Sequence, residues 1–151
     1  MTNTNSRTRR ISVTIATALA LGASLAGCSA IEQIQKSAAD AWAVTYEVTV
    51  EGQSTATLTN VSFLDQATRA EERTTVSADS VTATAGENGV ATWSANSIVI
   101  VGDEAKLEAT AADGERATCK ILLDGKRAIA NETGEPGGTV TCSATAPAFD
   151  N

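Results

Sequence analysis

Residues 42–50 alternate without interruption: Trp42, Val44, Tyr46, Val48 and Val50 fall on one parity, and Ala43, Thr45, Glu47 and Thr49 on the other. A helix would scatter those apolar residues around its circumference. A strand gathers them on one buried face and leaves the polar set wet, so this segment is held to a sheet. Turn dipeptides then recur along the chain. Glu51-Gly52 precedes the run 54–64, Asn88-Gly89 follows 81–85, Gly102-Asp103 follows 98–101, Asp113-Gly114 follows 105–111, and Asp124-Gly125 follows 119–123. Asn-Gly and Asp-Gly suit two-residue hairpin turns, whose central residues need positive φ. From Asn88 onward the turns lie about 11 to 14 residues apart, which predicts a meandering all-β sandwich or barrel and not strands alternating with helices. Abundant Val and Thr favour strands through their branched Cβ atoms. The many Ala residues predict a thinly packed core.

The middle of the chain is less patterned. Gln66, Arg69, Glu71, Glu72 and Arg73 accompany few apolar residues, so a polar connection is expected here, leading into a further strand over 74–85. Toward the C-terminus parity is informative again. Cys119, Ile121 and Leu123 share one face of the run 117–123, and Val140, Cys142 and Ala144 share the matching face of 139–144. Both sulfurs therefore point inward.

The first 27 residues read as a leader. A polar stretch ends in Arg9-Arg10, an apolar run of 16 residues covers 11–26, and Leu25-Ala26-Gly27 precedes Cys28. A spanning helix needs about 20 apolar residues, so the run fits an exported signal better than a transmembrane anchor. The small residues before Cys28, with Leu25 three positions ahead, match the bacterial lipobox, after which Cys28 would carry diacylglycerol and become the mature N-terminus. A plain secretory signal cleaved nearby is the alternative, because both kinds of site favour small residues. Ile11-Ser12-Val13 after the arginine pair matches the twin-arginine pattern poorly, and the export route stays open.

The expected organisation is a lipoprotein signal peptide over 1–27, a lipidated tether over 28–41, a β-sandwich domain over 42–148 and a tail at 149–151. Ser29-Ala30-Ile31-Glu32 has the form of a capping box, and Ile31, Ile34 and Ala38 share a helical face, so the tether is expected to hold a short helix. The mature chain would then sit lipid-anchored on the extracytoplasmic face of the cell membrane, where thiols oxidise. In that compartment Cys119 and Cys142 are expected to form a disulfide in preference to a metal pair or a thiol nucleophile.

Composition removes several function classes. With 42% hydrophobic and 19% charged residues, a 151-residue chain has material for one core. Without Arg7, Arg9 and Arg10 of the leader, eight basic residues face 18 acidic ones, a balance of −10. Such a surface repels nucleic acid and anionic headgroups, and 3% aromatics leave little for base stacking. Histidine is absent, which removes imidazole as base, shuttle or ligand. Ser and Thr are plentiful without a Gly-x-Ser-x-Gly elbow and read as strand-face residues. Glu71-Glu72 and Asp103-Glu104 read as solvated charge, since neighbouring strand residues point to opposite faces and cannot pair as acid and base. The acids lack calcium-loop spacing. The run 134–138, Gly-Glu-Pro-Gly-Gly, lacks the Lys-Ser/Thr and helix of a phosphate loop and reads as a turn. Asn60-Val61-Ser62 and Asn131-Glu132-Thr133 match the glycosylation acceptor pattern, which reads as chance in a chain with a bacterial lipobox. Trp93 reads as a core ring, with an exposed contact anchor as the other possibility. The chain is not expected to be an enzyme, and neither cofactor nor metal is expected.

The carboxy-terminal half carries a further pattern: Trp93, Ser97-Ile98-Val99, Leu107-Glu108-Ala109, Ala117-Thr118-Cys119-Lys120-Ile121 running into Asp124-Gly125, then Asn131, Gly134 and Val140-Thr141-Cys142. It resembles the small actinobacterial membrane-associated proteins of the MmpS family. Val44-Thr45-Tyr46-Glu47-Val48-Thr49 looks like that family's opening strand, and Ser62-Phe63-Leu64-Asp65 like its second. The similarity covers about 42–144, with Cys-x-Ile-x-x-Asp-Gly and the later Cys its strongest part. The resemblance implies an immunoglobulin-like antiparallel β-sandwich of about seven strands, serving as an accessory to MmpL-type, resistance-nodulation-division exporters of lipids or siderophores. Two features depart from the family: a lipobox stands where an uncleaved transmembrane helix is usual, and the connection before Trp93 is longer and more polar. The alternative is an independent lipoprotein that binds a small apolar ligand or an envelope partner.

Overall fold

In the computed structural model the described residues are 38–149, except 87 and 88. The leader, Cys28 and nearly all of the tether with its expected helix lie outside them. Eight strands follow one another: β1 (Ala41–Val50), β2 (Thr55–Asp65), β3 (Thr74–Ala85), β4 (Ala91–Ile100), β5 (Glu104–Thr110), β6 (Ala117–Leu123), β7 (Arg127–Thr133) and β8 (Thr139–Thr145). All pair antiparallel in one sheet of order β7-β6-β1-β4-β3-β2-β5-β8, which curls into a nearly closed barrel. The fold is all-β as expected, with eight strands where about seven were anticipated.

The curl has a visible origin. β3 and β4 pair only at Thr84↔Thr92 and Ala85↔Ala91, beside their hairpin, whereas β1 pairs with β4 over ten positions, from Ala41↔Ile100 to Val50↔Ala91. The sheet therefore creases between β3 and β4. β7, β6, β1 and β4 lie on one side of the crease, β3, β2, β5 and β8 on the other, and the two inner faces enclose the core.

The alternation read in the sequence becomes burial. Val44, Tyr46, Val48 and Val50 of β1, with Cys119, Ile121 and Leu123 of β6, are buried facing Leu107 of β5 and Val140 and Cys142 of β8. Eight of the 21 buried apolar residues are alanines, so the halves sit close together and a few large side chains carry most of the packing. In β2 the inward parity changes: Ala56 and Leu58 are buried ahead of Asn60, and Val61 is buried after it. Asn60 has φ 50°, and the register against β5 shifts between Thr59 and Ser62. Asn enters the left-handed region more readily than most residues, so the first Asn of the acceptor-like pattern has a backbone role: it re-aims Phe63 toward the core.

Only some of the turns make hairpins. At Asp124-Gly125 both central residues have positive φ, 50° and 65°, and the Lys126 N–H donates to Leu123 O at 3.0 Å. This is the tight turn that the dipeptide predicts. Gly102-Asp103 and Asp113-Gly114 instead carry the chain between the halves, from β4 to β5 and from β5 to β6, so the order of strands is not a meander. A turn dipeptide specifies a reversal of direction. Which strand the returning chain pairs with is decided by burial of its apolar face. The polar connection ends where expected, with β3 beginning at Thr74.

Candidate functional site

The two cysteines whose parity pointed inward form a disulfide, with Cα atoms 6.0 Å apart and a sequence separation of 23. Both are fully buried. Cys142 lies on β8, the last strand at one end of the sheet order, and Cys119 on β6, next to last at the other. The bond therefore ties together the two ends of the curled sheet, between which no strand ladder runs among the described residues.

A chain of aromatic rings also joins the two halves. Tyr46 is 5.3 Å from Phe63, centroid to centroid, and Phe63 is 5.9 Å from Trp93, within the range of favourable tilted pairs. Trp93 packs against the core, which settles its reading as a packed ring. The Tyr46 hydroxyl crosses between the halves to donate to Leu64 O at 2.7 Å. Burial pushes its pKa up to about 12, opposed in part by a backbone N–H from Lys106. The phenol thus stays neutral at any physiological pH and bonds the two halves.

The end of the fold where β1 begins gathers residues from distant parts of the chain. The Trp42 indole N–H donates to Pro147 O at 2.8 Å, and the Trp42 ring lies 4.2 Å from that of Phe149. Val101 N–H donates to Asp40 O, Gly102 N–H to Ala146 O and Ala146 N–H to Asp103 O, so the segment just after β8 is sewn to the β4–β5 turn, which in turn is bonded to the residue before β1. Phe149 is nevertheless 37% exposed. Composition had not pointed to this pair.

Beside it the connection 66–73 is organised by Gln66, a buried polar side chain. Its backbone N–H donates to Ser97 Oγ at 2.9 Å and its Nε2 to Glu71 O at 2.9 Å, while its carbonyl accepts from Ile98 N–H. The acid pairs Glu71-Glu72 and Asp103-Glu104, remote in sequence, meet here. Gln66, Glu71, Glu72, Arg73, Ile100 and Asp103 line a cleft of about 280 Å³. Arg73 donates to Glu104 O at 2.7 Å and lies 3.9 Å from the Asp103 carboxylate, so the chain itself supplies a cation to one of these acids. Among the described residues no three acid or cysteine groups are placed to hold a metal ion.

Several threonine hydroxyls are strand-face groups bonded to one another. Register places Thr133, Thr118, Thr49 and Thr92 in one row across β7, β6, β1 and β4. Thr118 and Thr133 share a hydrogen bond of 2.9 Å, as do Thr110 and Thr139 at 2.8 Å. Cross-strand threonine pairs of this kind stabilise a sheet, and on the exposed face of the β5–β8 ladder the Ser143 hydroxyl donates to the Glu104 carboxylate. In the surface cleft lined by Glu47, Thr49, Glu51, Gly86, Val90, Thr92 and Lys120, the Thr49 and Thr92 hydroxyls donate to the backbone carbonyls of Thr118 and Val90. Comparison with models of known protein families and with curated proteins gives no match to either.

Proposed function

We propose that this chain is an extracytoplasmic lipoprotein, anchored through Cys28, that acts as an accessory to a membrane exporter of the resistance-nodulation-division class, as the resemblance to the MmpS family implies. The observation that carries the reading is the Cys119–Cys142 tie, since it engages the two cysteines of the strongest part of that resemblance. Ile121 is buried in the same core as both sulfurs, and Asp124-Gly125 supplies the tight turn after β6. A buried disulfide also suits a compartment outside the cytoplasm.

The finer fold reading is an immunoglobulin-like sandwich. β1 pairs with β4 and β2 with β5, while the connections β1–β2 and β4–β5 both cross between the halves. Immunoglobulin domains pair their B and E strands in one sheet and C and F in the other in the same way. In this reading β6 and β7 form a hairpin added beside β1, and β8 returns to lie beside β5.

Such a protein works by contact. Its role is to hold an exporter or its cargo at the membrane face, with the folded domain as the contact surface. Fold alone does not give that role, so the test is direct: cross-linking in native membranes followed by identification of the captured peptides. Peptides of a large exporter are expected. Their absence, under conditions that capture a known membrane complex, overturns the accessory role and leaves an independent binding lipoprotein.

A further inference from the structure

We propose that the Trp42–Phe149 pair is the contact by which the domain rests on a phospholipid surface, orienting the sheet with its opposite end turned outward; this rests on the reading of Cys28 as the anchor. Only Val76 and Phe149 among the large apolar side chains of the described residues are exposed. Val76 stands alone on β3, whereas Phe149 stacks on Trp42 at 4.2 Å. Ile100, the register partner of Ala41, and Val101 are half-buried close by.

The position of the pair argues for lipid as its occupant. Trp42 is the second residue of β1, and 13 residue steps separate Cys28 from Ala41. A chain spans at most about 3.3 to 3.6 Å per residue, so an anchor at Cys28 holds this end of the domain within about 45 Å of the bilayer and the opposite end one strand length further along the chain. The turns at Glu51-Gly52 and Asp113-Gly114 lie at the far ends of the strands. The indole N–H is already bonded to Pro147 O, so the ring meets the apolar side of an interface without leaving a donor unpaired there. Aromatic rings are enriched at the interfacial layer of a bilayer.

Charge decides the kind of contact. Asp40 and Asp103 lie on the backbone beside the pair, bonded to Val101 and Ala146, and the sequence after the leader carries a balance of −10. The contact is therefore apolar, suited to zwitterionic headgroups, and is not weakened by salt as a counterion-release contact would be.

Residues 28–151 contain the whole described core with its disulfide, and Cys28 is their one cysteine outside that bond. Coupled through Cys28 to a maleimide phospholipid in phosphatidylcholine vesicles, this chain is expected to lose tryptophan emission when the lipids carry bromine near the headgroup. The loss should disappear in Trp42→Phe, which leaves only Trp93, shrink in Phe149→Ser, and persist in high salt. Equal emission on brominated and plain vesicles, or quenching that survives Trp42→Phe, overturns the proposal, as would follow if a protein covered the pair instead. Whether Cys28 carries lipid in the cell is read separately, from the mass of the N-terminal peptide of the native protein, so the two readings fail independently.

Discussion

Replacing both cysteines, Cys119→Ala with Cys142→Ala, removes the one covalent link between the ends of the curled sheet. The bond closes a loop with a sequence separation of 23. In the chain-entropy argument a loop of that length stabilises the folded state by about 3.5 kcal/mol, through restriction of the unfolded chain. The two sulfurs are fully buried, and their loss leaves a small cavity costing roughly a further 1 kcal/mol. For a domain of this size the unfolding entropy near the midpoint is on the order of 0.25 kcal/mol per degree, so the melting temperature should fall by about 15 to 20 °C. The double variant is used because a single one would leave a free thiol able to cross-link two chains. Thermal melts followed by near-ultraviolet circular dichroism, under non-reducing conditions, give the number. The structure adds a local expectation: β8 is bonded on one side by β5 and on the other has only packing and the sulfur tie, so amides of β8 should exchange hydrogen faster in the variant than amides of β1. A melting shift below about 5 °C would refute the reasoning, because the sheet ends would then be held by packing alone.

Three other outcomes follow from the same structure. Gly125→Ala places a Cβ at φ 65° in the β6–β7 turn and should cost about 1 kcal/mol or more in denaturant titration, with no change in slope. Tyr46 is held neutral to about pH 12 against a usual value of 10.0, so its contribution is full below pH 10 and is lost as the pH rises through 12. Urea midpoints should fall across that window by up to about 2 to 3 kcal/mol of stability, and Tyr46→Phe should flatten the fall. Gln66→Ala removes the donor to Glu71 O and should lower stability by about 1 to 2 kcal/mol, with faster proteolysis in 66–73 than elsewhere.

The legible parts of the fold are those where one strand has one dry face. β1 and β6 announce themselves because every second residue is buried, and the inward sulfurs follow from the same parity. β7 gives no such signal: Arg127–Thr133 lies at the end of the sheet with both faces largely exposed, and its register shifts between Ile121 and Leu122 of β6. β3 is similar, its first residues wet on both sides. The parity change at Asn60 is hidden because a single left-handed residue leaves no compositional trace. The choice of partners was also beyond local reading, since Gly102-Asp103 and Asp113-Gly114 look like hairpin turns and serve crossings. At the end of the fold where β1 begins, Trp42 meets Pro147 and Phe149, more than 100 residues further along the chain. Pairings across such a distance come from the assembled core, which no window of sequence contains. Gln66 is a lone polar residue at a strand end, and only its burial reveals that it holds the connection together.

The most direct test is the intact mass of the protein isolated from the membranes of the cell that makes it, before and after reduction and alkylation. A chain beginning at Cys28, heavier by a diacylglyceryl group and free of reactive thiols until reduced, is the predicted result. A polypeptide that retains Met1, or one in which Cys119 and Cys142 alkylate without reduction, would contradict the account.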